Sequence, residues 1–156
     1  DLAMRAVGHR AGVSPATVYT YFSSKDHLFA ELFWRVVEQE GGIELAAPTV
    51  MGRMQELVRH LAQVVAGVPE LTAAVNKSLM AGDPAVHRVR ADIAVWCIGR
   101  FRDAIGTEAR VPPQILMTLS FALSGALLQA GMGVFDYDKL ADHLSDAVAA
   151  IMRDAA

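Results

Sequence analysis

An all-α fold, with an N-terminal helix-turn-helix followed by a larger helical domain, is predicted by three observations. Apolar residues recur at helical spacing through every long segment. No run alternates apolar with polar residues as a half-buried strand would. The segments open on Ser-Pro, Asp-Pro or a lone Ser or Thr and close on Gly, the residues that cap helices at those two ends.

The first helix carries Leu2, Ala6 and Val7 on one face and stops near Gly12, because glycine enters the left-handed conformation cheaply. Ser14 then offers its hydroxyl as a cap, and Pro15 takes the first helical position, where a missing N–H costs nothing. In this short second helix Val18 and Phe22 pack inward, which leaves Pro15, Ala16, Thr17, Thr20 and Tyr21 facing out. A small, polar and aromatic face suits the major groove, where hydroxyls reach phosphates and apolar atoms meet thymine methyls, so duplex DNA is the first partner to consider. The alternative for the same residues is an ordinary helical hairpin with half-buried tyrosines.

Ser23 and Ser24 cap a third helix reaching Glu40, with Leu28, Leu32 and Val36 in one stripe and Phe29, Phe33 and Val37 in a second. Gly41-Gly42 ends it, and the stretch through Pro48 reads as a linker between a unit of residues 1–41 and one of residues 49–156. In the second unit, residues 49–67 place Met54, Val58, Leu61 and Val65 for burial, and residues 69–81 form a shorter helix. Asp83-Pro84 opens a long helix to Ile105 with Val89, Ile93, Trp96 and Phe101 inside. Pro112-Pro113 opens the next, to about Met132, through Leu116, Leu119, Leu123, Leu127 and Leu128. Asp136 caps the last, in which Leu140, Leu144, Val148 and Ile151 recur at spacings of four and three. Ser120, Ser124 and Gly125 are small enough to let another helix approach. Residues 115–128, the most apolar stretch, read as a core or interface helix too short to span a membrane.

At 156 residues, the chain is long enough to bury a real core. With 53% hydrophobic and 20% charged residues it is apolar for a monomer, which predicts a subunit interface, an interior cavity, or both. The net charge of -3 gives no support to nucleic-acid binding through a global field, so phosphate contacts would rest on local donors. Cys97, the only cysteine, excludes an intrachain disulfide and a cysteine zinc cage, and its apolar neighbours predict a buried, inert thiol. His9, His27, His60, His87 and His143 are scattered without metal-ligand spacing. With no glycine-rich phosphate loop and no nucleophile elbow, neither a metal, a cofactor nor catalysis is expected.

The string Gly12-Val13-Ser14, Thr17-Val18-Tyr19, Tyr21-Phe22, Ser24-Lys25 and Leu28-Phe29 resembles the signature of the TetR family of transcriptional regulators, over about the first quarter of the chain. The resemblance implies a recognition helix from Ser14 to Phe22. Ser14, Pro15 and Ala16 would open it, and Thr17, Tyr19, Thr20 and Tyr21 match positions that contact phosphate or base edges. Lys25 matches a lysine that grips the DNA backbone, and Arg5 falls where some members reach a base. It also implies a further DNA-binding helix before Asp1, without which operator binding is expected to be poor.

By the same resemblance the larger domain holds a small, mostly apolar effector. Met54, Met80, Trp96, Phe101, Met117 and Phe121 are the candidate wall residues, and His60 and Arg100 the polar ones, each with a plain core or surface role as its alternative. The last two helices would pair with those of a second subunit. Leu116, Ser120, Leu123, Ser124 and Leu127 would contribute from the first, with Leu140, Leu144, Val148 and Ile151 from the second. The function so implied is a cytoplasmic, homodimeric repressor, released from a palindromic operator by its effector. The rival reading is a helical dimeric sensor or adaptor that does not bind DNA.

Overall fold

The structure is a computed structural model describing residues 4–107 and 111–153. Eight α-helices account for the fold among these residues: α1 Met4–Ala11, α2 Pro15–Tyr21, α3 Lys25–Glu40, α4 Val50–Ala66, α5 Pro69–Ser78, α6 Pro84–Ile105, α7 Pro113–Gly131 and α8 Leu140–Met152. A 3-10 turn, Tyr137–Lys139, leads into α8, and no strand occurs among the described residues.

The helix ends follow the predicted capping chemistry. Ser14, Ser24, Thr49 and Asp83 each accept a backbone N–H in the first turn of α2, α3, α4 and α6. Asp136 makes no such bond. The 3-10 turn takes its place as the entrance to α8.

α1 to α3 share a small core of Met4, Val18 and Leu28, with Val7 and Phe22 packed beside it. Ala6, expected on the buried face, is exposed, and Leu2 lies outside the described residues. The inward face of α1 is Met4 and Gly8, one helical turn apart. A Cβ on Gly8 would stand 3.0 Å from the Val13 carbonyl oxygen and 3.2 Å from a Val18 methyl, so its absence sets the close approach of α1 to α2.

The main core joins α3 to α8. α4 packs most extensively against α8, α8 also packs on α7, and α3 lies against α5 and α6. Met54, Leu57, Val58, Phe101, Leu140 and Leu144 are all at most 2% exposed. A third cluster of Ala30, Val86 and Val89 fixes the middle of α3 to the start of α6. On α3 the buried positions are Leu28, Ala30, Phe33 and Val37, while Leu32 is 40% exposed. The predicted stripe of Leu28, Leu32 and Val36 thus runs from the buried Leu28 out to an exposed Leu32 and a half-buried Val36.

The segment between α3 and α4, read in the sequence as a linker, is strapped down. Ile43 and Leu45 pack on the main core, and the Glu56 carboxylate accepts the backbone N–H groups of Ala46 and Ala47 at 3.0 and 3.1 Å. Arg53 donates to the Ala47 and Pro48 carbonyls and, with Nε and Nη2, to Ala104 and Ile105 at the end of α6. A cation there also complements the negative end of the helix.

α7 has 19 residues and is long and apolar enough to cross a membrane by length and composition alone, contrary to the expectation from its most apolar stretch. It packs against α5, α6 and α8 on one side, where Leu119, Leu123 and Ala130 are buried. Its outward side keeps Met117, Phe121 and Leu128 exposed.

Candidate nucleic-acid interface and ligand cavity

The turn between α1 and α2 is built by backbone chemistry. Gly12 has φ of 68°, in the left-handed region, and its neighbour Val13 donates N–H to the Gly8 carbonyl at 2.9 Å, closing α1 with a glycine cap. Ser14 Oγ accepts from the Thr17 N–H at 3.1 Å and Pro15 occupies the first turn. α2 is thus started by its own sequence and held by Val18, 4% exposed.

That anchoring aims the rest of α2 outward. Ser14, Pro15, Ala16, Tyr19, Thr20 and Tyr21 are exposed, with Tyr19 at 54% and Tyr21 at 71%, and Thr17 is half-buried. Thr20 donates its hydroxyl proton to the Ala16 carbonyl at 3.0 Å, which leaves its oxygen lone pairs outward as acceptors. Two large tyrosines on a seven-residue helix stand more than half exposed. They offer ring area and hydroxyls to an outside partner.

Arg5 is exposed on α1, as are His9 and Arg10 in its last turn. Lys25 opens α3 with its ammonium 5.7 Å from the Phe29 ring centre.

A polar cluster ties this region to the larger body. Asp83 Oδ2 accepts from Ser23 Oγ at 2.8 Å and Ser24 Oγ at 2.6 Å, while Oδ1 accepts the Ala85 N–H at 2.8 Å. These bonds, the two serines first, pull the Asp83 carboxyl down to about 2. Beside them Ser78 Oγ donates to Asp26 Oδ1 at 2.8 Å. The start of α3, next to Lys25, is therefore bonded to the end of α5 and the start of α6. The sequence marked Ser24 and Asp83 as caps but carried no signal that two caps 59 residues apart share a hydrogen bond.

The larger body contains two adjoining spaces. One is an apolar cavity of about 40 Å³ lined by residues including Phe33, Leu61, Val65 and Trp96. The other is a recess of about 300 Å³ between α5, α6 and α7, with Asn76, Met80, Arg90, Ser120 and Ser124 in its wall. Ile93, Cys97 and Leu123 line both. Burial pushes the Cys97 thiol up to about 11, in keeping with the inert thiol expected.

Of the predicted wall residues, Trp96 lines the cavity and Met80 the recess. Met54 and Phe101 line neither and belong to the core at 0% and 1% exposure. His60 does not face a cavity: its Nε2 lies 2.6 Å from the Glu40 carbonyl, at the end of α3. Arg100 pairs with Asp103 and stands over the Trp96 ring. Met117 and Phe121, at 59% and 68% exposure, lie on the outside of α7. These differences have one origin, since spacing marks a residue as apolar without saying which neighbour it meets.

The predicted interface residues divide in the same way. Leu140, Leu144 and Val148 are at most 2% exposed and Leu123 is 7% exposed, all in this chain's own core, so no partner can cover them. Leu116, Leu127 and Ile151 are half-buried against that core, Ser120 is half-buried in the recess wall, and Ser124 is exposed. The apolar surface left open runs through Phe121, Gly125, Val134 and Ala147, in a groove between α7 and α8.

A short outward-facing helix behind a glycine turn, one of eight α-helices among the described residues, with an apolar cavity in the larger body, has the layout of a class: the helix-turn-helix regulators. Residues 1–32 match the family described as bacterial regulatory proteins, tetR family. An uncharacterized HTH-type transcriptional regulator of Mycobacterium bovis is 43% identical over 157 residues, covering 99% of this chain and 73% of that protein. A regulator of the same description from Mycobacterium tuberculosis H37Rv matches to the same extent. The crystal structure of a TetR transcriptional regulator from Rhodococcus sp. RHA1 superposes with a TM-score of 0.82 at 20% identity, over 99% of this chain and 86% of that one, which shows the shared fold. The chain belongs to the TetR family of transcriptional regulators.

Proposed function

We propose that this chain is a cytoplasmic, homodimeric repressor that leaves a palindromic operator when a small, mostly apolar effector binds its larger helical domain. The observation that carries the DNA-binding part is the outward face of α2, with Tyr19, Thr20 and Tyr21 exposed while Val18 anchors the helix. Residues 1–41 act as the DNA-binding unit, with Thr17, Tyr19, Thr20, Tyr21 and Lys25 on phosphate or base edges and Arg5 on a base. Ser14, Pro15 and Ala16 set the helix against the groove. Residues 49–156 act as the effector and dimerisation unit.

Two-fold pairing follows from operator symmetry, since two reading helices must enter successive major grooves on one face of the duplex. The open apolar surface of α7, Met117, Phe121 and Leu128, supports its use as the subunit contact. Effector control needs little energy: a preference of about 3 kcal/mol for the non-binding state lowers operator affinity more than a hundredfold. Selecting bound fragments from sheared genomic DNA with the full-length protein tests the reading. Enrichment of a palindrome supports it, and no enrichment at low salt refutes it.

A further inference from the structure

The recess between α5, α6 and α7 has a one-sided chemistry. Among the described residues, Arg90 is the only charged one in its wall, and no carboxylate lines it. Arg90 Nη1 donates to the Leu79 carbonyl at 2.8 Å, which holds the guanidinium at the recess, and no carboxylate pairs with it among the described residues. A guanidinium carries five N–H donors in a planar fork, so the bond to Leu79 leaves most of them available. Ser120 and Ser124 add hydroxyls to the opposite wall.

Beyond Arg90 the polarity vanishes. Ile93, Cys97 and Leu123 form the floor, and the same side chains line the wholly apolar cavity that continues to Phe33, Leu61 and Trp96. A ligand matched to both spaces has one anionic end and one apolar body. A neutral hydrocarbon would leave the guanidinium unused, and a cation would meet like charge at the recess. At about 300 Å³ the recess is at the lower end of small-molecule sites, which suits a medium chain over a polycyclic body.

We propose that this recess binds an anionic amphiphile, in its simplest form a medium-chain carboxylate, with the carboxylate on Arg90 and the chain directed past Cys97 toward the apolar cavity. The inference rests on the effector reading above and gives that site its chemical class. The Arg90 fork takes the two carboxylate oxygens. The chain reaches the cavity by displacing Ile93 and Leu123 from their shared wall, a repacking felt directly by Phe33 on α3.

Calorimetric titration of the full-length protein with decanoate, decanol and decylamine tests it without DNA. Decanoate is expected to bind at least tenfold more tightly than decanol, and decylamine not to bind. Arg90→Gln should remove the advantage of decanoate while leaving decanol binding unchanged. Ala94→Trp, a substitution at an exposed position of the recess wall, should abolish binding of both while leaving the melting temperature near that of the parent. Equal affinity for decanoate and decanol in the parent, a decanoate advantage that persists in Arg90→Gln, or decanoate binding that survives Ala94→Trp, overturns the proposal. Operator binding by the same preparation is read separately: DNA binding without decanoate binding overturns this inference alone, and decanoate binding without DNA binding overturns the repressor reading.

Discussion

Ser14 shows how much geometry one side chain carries. Its hydroxyl accepts the Thr17 N–H and so fixes where α2 begins and which residues it turns outward. Ser14→Ala is expected to cost about 1 kcal/mol, read as a lower melting temperature, because an orphan N–H at a helix start loses its acceptor. Tyr137 is the opposite case. Its hydroxyl is buried with no hydrogen-bond partner among the described residues, and burial raises its pKa. Tyr137→Phe is therefore expected to leave the melting temperature unchanged or raise it, since the change removes a desolvated group that makes no bond. Local chemistry of this kind was legible in the sequence: Gly12, Ser14 and Pro15 act within a turn of themselves, as do the capping bonds of Ser24 and Asp83. His60 and Arg53 were not legible, because the carbonyls they meet belong to the ends of other helices.

At the scale of the helix, spacing identified apolar faces without identifying what covers them. Leu140, Leu144 and Val148 fall on one side of α8, and the same spacing would serve a subunit contact or an internal one. In the structure they meet α4, so the chain itself uses them. Leu144→Ala should then destabilise the folded chain by about 2–5 kcal/mol through the cavity it opens, measured by denaturant unfolding. Phe121, exposed on α7, should behave differently. Phe121→Glu is expected to leave the fold intact and convert the protein from dimer to monomer in sedimentation, because it places a charge in the one apolar surface α7 leaves open. The capped start of α2 and its inward Val18 were legible in the sequence, whereas Thr17, expected to face out, is half-buried.

Across the whole molecule, the bonds from Ser23 and Ser24 to Asp83 join the DNA-binding segment to the body that holds the cavity. They depend on an ionised carboxylate. The Asp83 pKa is lowered to about 2 from an ordinary 3.8, so its contribution to stability is full above about pH 4 and is lost as pH falls toward 2. Asp83→Asn should accordingly flatten the acid limb of the stability profile in that window, measured by melting temperature against pH. This junction could not be read from the sequence, because it is made by residues far apart in the chain. The central claim is that α2 and the start of α3 hold duplex DNA, and its most direct test is fluorescence anisotropy of operator binding by the full-length protein across a salt series. The account predicts a linear fall of log affinity with log salt, with a slope smaller in magnitude by about one for Lys25→Ala as one phosphate contact is lost. Binding that ignores salt, or a Lys25→Ala slope identical to that of the parent, would contradict it.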